Sequence, residues 1–182
     1  MFYWISDCWE EQRNTLFFLH GLTADYTMFE KQVEYFEKDF NLILWDAPEH
    51  GKSRPYTQFS YPNAVEDLKL ILEENSVREV VMIGQSLGGY FAQAFILRYP
   101  EMVKGFIGIG YAAFLEDNRD IHISCPVLII LGDQDKTGKV KQYCKAWSEA
   151  TGYPLQTIKN AAHNANVDNW IEVNSAIEKF LK

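Results

Sequence analysis

Positive charge is scarce in this chain: 17 lysine and arginine residues stand against 25 aspartate and glutamate residues, a formal charge of −8 with a pI near 5.0. A phosphate backbone or an anionic membrane surface repels such a chain on average, so no nucleic-acid partner is expected. Cysteine is scarce too. Cys8, Cys125 and Cys144 are an odd number with no CxxC pair and no histidine at metal spacing, which argues against a disulfide framework or a zinc site. Free thiols fit a reducing compartment, and the cytoplasm is the expected location. Long apolar runs are missing: GFIGIGYAAFL, Gly105 to Leu115, falls well short of the roughly 18 residues that span a bilayer. The opening MFYWISDCWEEQRN has neither a basic n-region nor a long apolar h-region, so neither a secretory signal nor stable membrane insertion is expected. There is no low-complexity tract, charge block or internal repeat. HExxH, GxxxxGK[ST] and a GxGxxG after a strand are all lacking, and GDQDKTGK has the wrong frame for a phosphate loop, so no metal or organic cofactor is implied.

What is present suffices for one sizeable core: 182 residues, 47% hydrophobic and 15% aromatic, expected to form a single domain over residues 1–182. Strand-like runs come at Phe2 to Ile5, Thr15 to Leu19, Asn41 to Asp46, Glu79 to Ile83, Val103 to Ile109, Pro126 to Leu131 and Leu155 to Ile158. Most are continuously apolar, the pattern of parallel strands buried on both faces. Helical periodicity occupies the gaps, at Met28 to Lys38, Pro62 to Asn75, Leu87 to Tyr99, Lys139 to Thr151 and Asn166 to Lys182. The alternation predicts an α/β class, a mostly parallel central sheet flanked by helices on both faces. In such sheets ligands bind beyond the carboxyl ends of the strands. His20, Asp46, Ser86, Asp133, Asp135 and His163 each follow an apolar run directly or within a few residues.

The segment VVMIGQSLGGYFAQAF, Val80 to Phe95, places Ser86 among glycines between a strand-like run and a helical one. GQSLG matches the GxSxG nucleophile elbow, in which small neighbours let strand and helix pack closely around a serine on a strained turn. Serine needs an imidazole to take its proton, and the imidazole needs an acceptor that fixes its tautomer. The chain order serine, aspartate, histidine is met by Ser86, then Asp133 or Asp135, then His163. The other histidines precede both aspartates. His20 reads as a loop-shaping residue, His50 as a solvated loop residue and His122 as surface, while Asp46 reads as a carboxylate tying down its own loop.

Together with LFFLHGLTAD, WDAPEHGKSRP, LIILGDQD and NAAHN, the turn resembles the α/β-hydrolase family over nearly the whole chain, and within it the serine esterases and monoacylglycerol-lipase-like enzymes. The resemblance implies that Ser86 is the nucleophile and His163 the base, and its GxxD pattern selects Asp135 as the acid. It places the oxyanion hole at the backbone amides of Leu22 and Leu87, where one lost donor costs about 2.7 to 4 kcal/mol. The implied activity is ester hydrolysis through an acyl-enzyme on a small-molecule ester of short or medium acyl chain. Carbon–carbon or thioester hydrolysis on the same triad, or a weakly catalytic ligand-binding protein of this fold, are the alternatives.

The chain departs from larger relatives between GFIGIG and PVLIILG, where only Tyr111 to Cys125 stand in place of a helical cap, room for a short helix such as Ala112 to Asn118. A minimal, capless α/β-hydrolase fold with an open site is therefore expected, as is a short strand edge before the HG motif. Tyr26, Tyr90, Tyr111 and Phe114 are the candidate substrate-binding residues. Apolar surface around them would make a second copy of the chain a candidate partner, forming a homodimer.

Overall fold

A computed structural model describes residues 1–113 and 123–182. Seven strands form one sheet: β1 (Tyr3–Ile5), β2 (Thr15–Leu19), β3 (Asn41–Trp45), β4 (Val80–Gln85), β5 (Val103–Ile109), β6 (Val127–Gly132) and β7 (Leu155–Ile158). Their spatial order is β1-β3-β2-β4-β5-β6-β7, parallel throughout except for β1, which runs antiparallel to β3. All seven predicted strands are present, three with the expected ends and four with ends shifted by one or two residues. β2, β3, β4 and β6 are buried along their whole length, as continuous apolar runs require.

The helices are α1 (Glu30–Phe36), preceded by a 3-10 turn at Tyr26–Phe29, α2 (Tyr61–Glu74), α3 (Leu87–Arg98), α4 (Val140–Thr151), α5 (Ala165–Asp168) and α6 (Trp170–Leu181). Because successive strand side chains point to opposite faces, the core divides in two. Phe17, Leu19, Ile43, Trp45 and Met82 pack with α2, α3 and α4 on one face. Leu16, Phe18, Leu42, Leu44 and Ile83 pack with α1, α5 and α6 on the other.

Two predicted helices are broken. The first begins as a 3-10 turn because Asp25 caps it, its carboxylate accepting the Thr27 amide at 2.9 Å. The C-terminal one is interrupted at Asn169, which has an extended φ of −138° and caps α6 through the Glu172 amide. Of the short helix expected over Ala112 to Asn118, Ala112 and Ala113 lie outside any helix and the remainder falls outside the described residues, as do Phe114 and His122.

β2 sits between β3 and β4, so the connection leaving β2 goes one way along the sheet and the next connection comes back past it. That reversal opens a crevice above the carboxyl ends of β2 and β4, where the loops carrying His20 and Ser86 lie side by side. The close approach depends on glycine. A Cβ on Gly88 would collide with the Leu19 backbone carbonyl, and one on Gly84 would lie 2.6 Å from the Gly88 carbonyl oxygen. We expect Gly88→Ala to lower the unfolding free energy by about 2 kcal/mol, since backbone at both sides leaves little room for relaxation. Urea unfolding measures this, and an unchanged midpoint would count against the packing described.

Candidate active site

Ser86 has φ +48° and ψ −111°, a left-handed conformation that ordinary residues avoid. Two hydrogen bonds hold it there: its amide donates to the Ile109 carbonyl at 2.9 Å, and its carbonyl accepts the Gly89 amide at 2.9 Å. The side chain is half-buried at the start of α3. A Cβ on Gly21 would lie 3.3 Å from the Ser86 Cβ, so the loop after β2 runs directly beside it.

His163 arrives from the loop after β7. Its Nδ1 lies 2.9 Å from Asp135 Oδ2, and Asp135, fully buried in its side chain, also accepts the Thr137 amide through Oδ1 at 2.8 Å. An ionised carboxylate only accepts, so Nδ1 carries the proton and Nε2 is left as the acceptor. The ring stands against Gly110, where an added Cβ would meet Nδ1 at 3.0 Å, and Gly110 follows Ile109, the residue that anchors the Ser86 amide. Serine and imidazole therefore share one rim. Of the two aspartates, Asp135 pairs with histidine, while Asp133 accepts the Ala161 amide at 3.3 Å and staples the loop.

The remaining sequence candidates separate in space. Leu87 is the first residue of α3, where helix amides have no intrahelical acceptor, and Leu22 lies in the adjoining loop with its side chain 66% exposed. Tyr90 and Tyr111 line a cavity of about 180 Å³ that opens at Ser86. Tyr26 lines a different one of about 340 Å³, with Trp4, Val33 and Leu44 on the α1 side. Phe114 lies outside the described residues.

Asp46 acts as expected and more, since it accepts the Lys52 amide of its own loop at 2.7 Å and the Tyr26 amide across the crevice at 2.8 Å. His20 is wholly buried and bridges the same two loops. Its Nδ1 donates to the Gly21 carbonyl at 2.8 Å and its Nε2 accepts the Ala47 amide at 2.9 Å. Burial holds its pKa below the ordinary imidazole value, which keeps that tautomer neutral. His50 differs from the expectation of a solvated residue. Its ring is half-buried, 5.3 Å from that of His20, because Nδ1 folds back onto the Pro48 carbonyl at 2.8 Å.

Positioning residues that sequence reasoning passed over surround the imidazole. Gln85, 1% exposed, donates through Nε2 to the His163 carbonyl at 3.2 Å and to Asn164 Oδ1 at 3.1 Å, while its Oε1 lies against Gly21. It joins all three loops of the site. The break between α5 and α6 serves the same loop: Asp168 accepts the Ala162 amide at 2.7 Å, and Asn169 donates to the Lys159 carbonyl at 2.9 Å. Gln85 is the variable position of GxSxG, so its identity carried no signal, although its place between the glycine and the serine did. Burial pushes the Cys125 and Cys144 thiols up to about 11 and about 12, which keeps both protonated at neutral pH. Among the described residues no group of three His, Cys, Asp or Glu side chains could hold a metal ion, and no helix is long and apolar enough to cross a membrane.

The family model described as alpha/beta hydrolase fold matches residues 14–124, more than half of the chain. The chain belongs to the α/β-hydrolase family. An uncharacterized hydrolase of Bacillus subtilis, YugF, is 26% identical over 157 residues, covering 85% of this chain and 54% of that protein. A pimeloyl-[acyl-carrier protein] methyl ester esterase of Wigglesworthia glossinidia brevipalpis is 29% identical over 105 residues, 58% of this chain and 39% of that protein. The chain thus spans about half or less of the length of these relatives. A CIB-like hydrolase of Thermoplasma acidophilum superposes with a TM-score of 0.81 at 22% identity, over 94% of this chain and 87% of that one. This structural likeness concerns the fold.

Two outcomes test the site's architecture. In Gln85→Leu the backbone amides of residues 161–164 should exchange with solvent about tenfold faster, measured by hydrogen–deuterium exchange, because the histidine loop loses two hydrogen bonds to a buried donor. For His20, the unfolded chain takes up a proton below about pH 6.5 while the buried ring resists it, so its contribution to stability is complete above that pH and declines as pH falls below it. The urea midpoint of His20→Gln should therefore fall less steeply than that of wild type between about pH 6.5 and about pH 5. Parallel slopes would contradict a buried neutral imidazole.

Proposed function

We propose that this α/β-hydrolase is a serine esterase. Ser86 Oγ attacks the carbonyl carbon of an ester, and His163 Nε2 takes the hydroxyl proton. The charge that develops on the carbonyl oxygen is met by the backbone amides of Leu22 and Leu87. Collapse of the tetrahedral adduct breaks the bond to the leaving alkoxide, which receives the proton from His163 and departs as the alcohol. Water then attacks the acyl-enzyme with His163 again accepting a proton, and the carboxylic acid and free Ser86 are regenerated. Asp135 holds the imidazole in the Nδ1-protonated tautomer and stabilises its charged form.

The observation that carries this reading is the Asp135–His163 pair on the rim where Ser86 occupies its left-handed turn. A serine held in that conformation costs about 1–3 kcal/mol, a cost with a purpose if the hydroxyl must stand clear of strand and helix. The name of the methyl ester esterase relative agrees with an ester substrate. A cavity of about 180 Å³ beside Ser86 favours a short arm on the substrate. The short connection between β5 and β6, residues 110–126, fits a site without a helical cap. Replacement of Ser86 by Ala should lower kcat on p-nitrophenyl butyrate roughly a million-fold and abolish fluorophosphonate labelling. Turnover by that variant close to wild type would refute the mechanism, and a wild-type serine inert to the probe would favour a ligand-binding role.

A further inference from the structure

The cavity that opens at Ser86 is lined on its far side by residues of the turn into α4. Ser86, Tyr90, Tyr111, Thr137, Lys139 and Tyr143 line it, and among the described residues Lys139 is the one charged residue in its lining. Lys139 is exposed, and among the described residues it enters no ion pair. Its surroundings run against the charge of the molecule. Between Lys136 and Ser148 the chain carries Lys136, Lys139, Lys141 and Lys145 and no acidic residue, although its formal charge is −8 overall. Asp135, just before this stretch, is buried and engaged with His163, so it does not offset the lysines at the surface. A cationic rim also runs against helix electrostatics, since lysine before and within the first turn of α4 faces the positive end of the helix dipole. Lys141 Nζ donates to the Asp133 carbonyl at 2.6 Å. A ligand of opposite charge would engage Lys139.

The geometry points to an anionic ester as the substrate class: an ester one arm of which is short, enters this cavity and ends in a carboxylate that pairs with Lys139. The assignment rests on the esterase reading above, since it takes Ser86 as the reacting atom at the cavity's mouth. Size agrees with it. About 180 Å³ holds roughly six non-hydrogen atoms at the ~30 Å³ that a water occupies in the liquid, enough for a carboxylate and two or three methylenes. The Thr137 hydroxyl in the lining is a further donor for the carboxylate, and the lysine field draws to this rim anions that the rest of the protein repels.

Two pairs of esters test the proposal, matched in shape because an isopropyl group replaces the carboxylate in each neutral partner. Monomethyl glutarate and its neutral counterpart vary charge on the acyl arm; O-butanoylglycolate and isobutyl butanoate vary it on the alcohol arm. In wild type at low salt at least one anionic ester should be preferred about five- to tenfold in kcat/KM, as a single partly screened ion pair allows, and added salt should erode the preference. In Lys139→Met that preference should vanish. In Lys38→Met, which removes one charge after α1 at the opposite edge of the sheet, it should persist. A wild-type preference for both neutral esters, or an anionic preference untouched by Lys139→Met, overturns the proposal while leaving the esterase intact.

Calorimetric binding of intact monomethyl glutarate and O-butanoylglycolate to Ser86→Ala gives a readout independent of turnover. Binding of at least one, weakened about five- to tenfold when Lys139→Met is added, upholds the anionic cavity even if wild type hydrolyses none of the esters, and it is then the esterase reading that fails. Binding of neither ester, or binding indifferent to Lys139→Met, overturns the anionic cavity.

Discussion

Everything at this site depends on how closely α3 is drawn onto the end of the sheet. The elbow at Ser86 exists because Gly84 and Gly88 leave no side chain between β4, α3 and the end of β2, and because the Ile109 carbonyl holds the serine amide. With the backbone pinned on both sides, Ser86 adopts a conformation its own preferences disfavour. The same close approach brings the loop after β2, with His20, Gly21 and Leu22, alongside the serine, and so joins two strand ends into one crevice. α/β-Hydrolase membership follows from a family model covering these elements, and the geometry gives that membership its physical content.

The second constraint is the placement of an imidazole on that crevice from a distant part of the chain. The loop bearing His163 is held from three directions: the buried carboxylate of Asp135, the amide of Gln85 below, and the broken helix α5–α6 behind. Each contact is a hydrogen bond of modest net value. Together they fix the loop while leaving the His163 side chain partly exposed. A further buried link ties α1 to the same helices, Gln32 donating to Asn174 at 2.8 Å and to the Asn166 carbonyl at 3.1 Å.

Much of this was legible in the residue order. Continuous apolar runs marked most of the seven strands because both sheet faces are covered by helices, and glycine spacing marked the elbow because a close backbone approach tolerates few alternatives. The family pattern selected Asp135 over Asp133, and in the structure Asp135 lies against His163 Nδ1 while Asp133 accepts the Ala161 amide. Less visible were the devices made of unlike residues from distant loops. Gln85 occupies a position where its motif accepts anything, and Asn169 lies in a segment whose periodicity runs on as one helix. Tyr26 followed a strand end as a candidate pocket residue should, yet it faces the cavity beside α1, on the other side of the sheet from the one at Ser86.

By itself the sequence determined the class of fold and the order of its elements, and put forward a candidate serine, aspartate and histidine, because periodicity and local motifs are properties of neighbouring residues. Only the tertiary structure decided which groups meet: that His20 is a buried neutral bridge, that Gln85 spans three loops, that Lys139 lines the cavity at Ser86. Contacts between residues about eighty positions apart, as between Gln85 and Asn164, arise from packing two faces of a sheet at once. No local pattern in the chain encodes them.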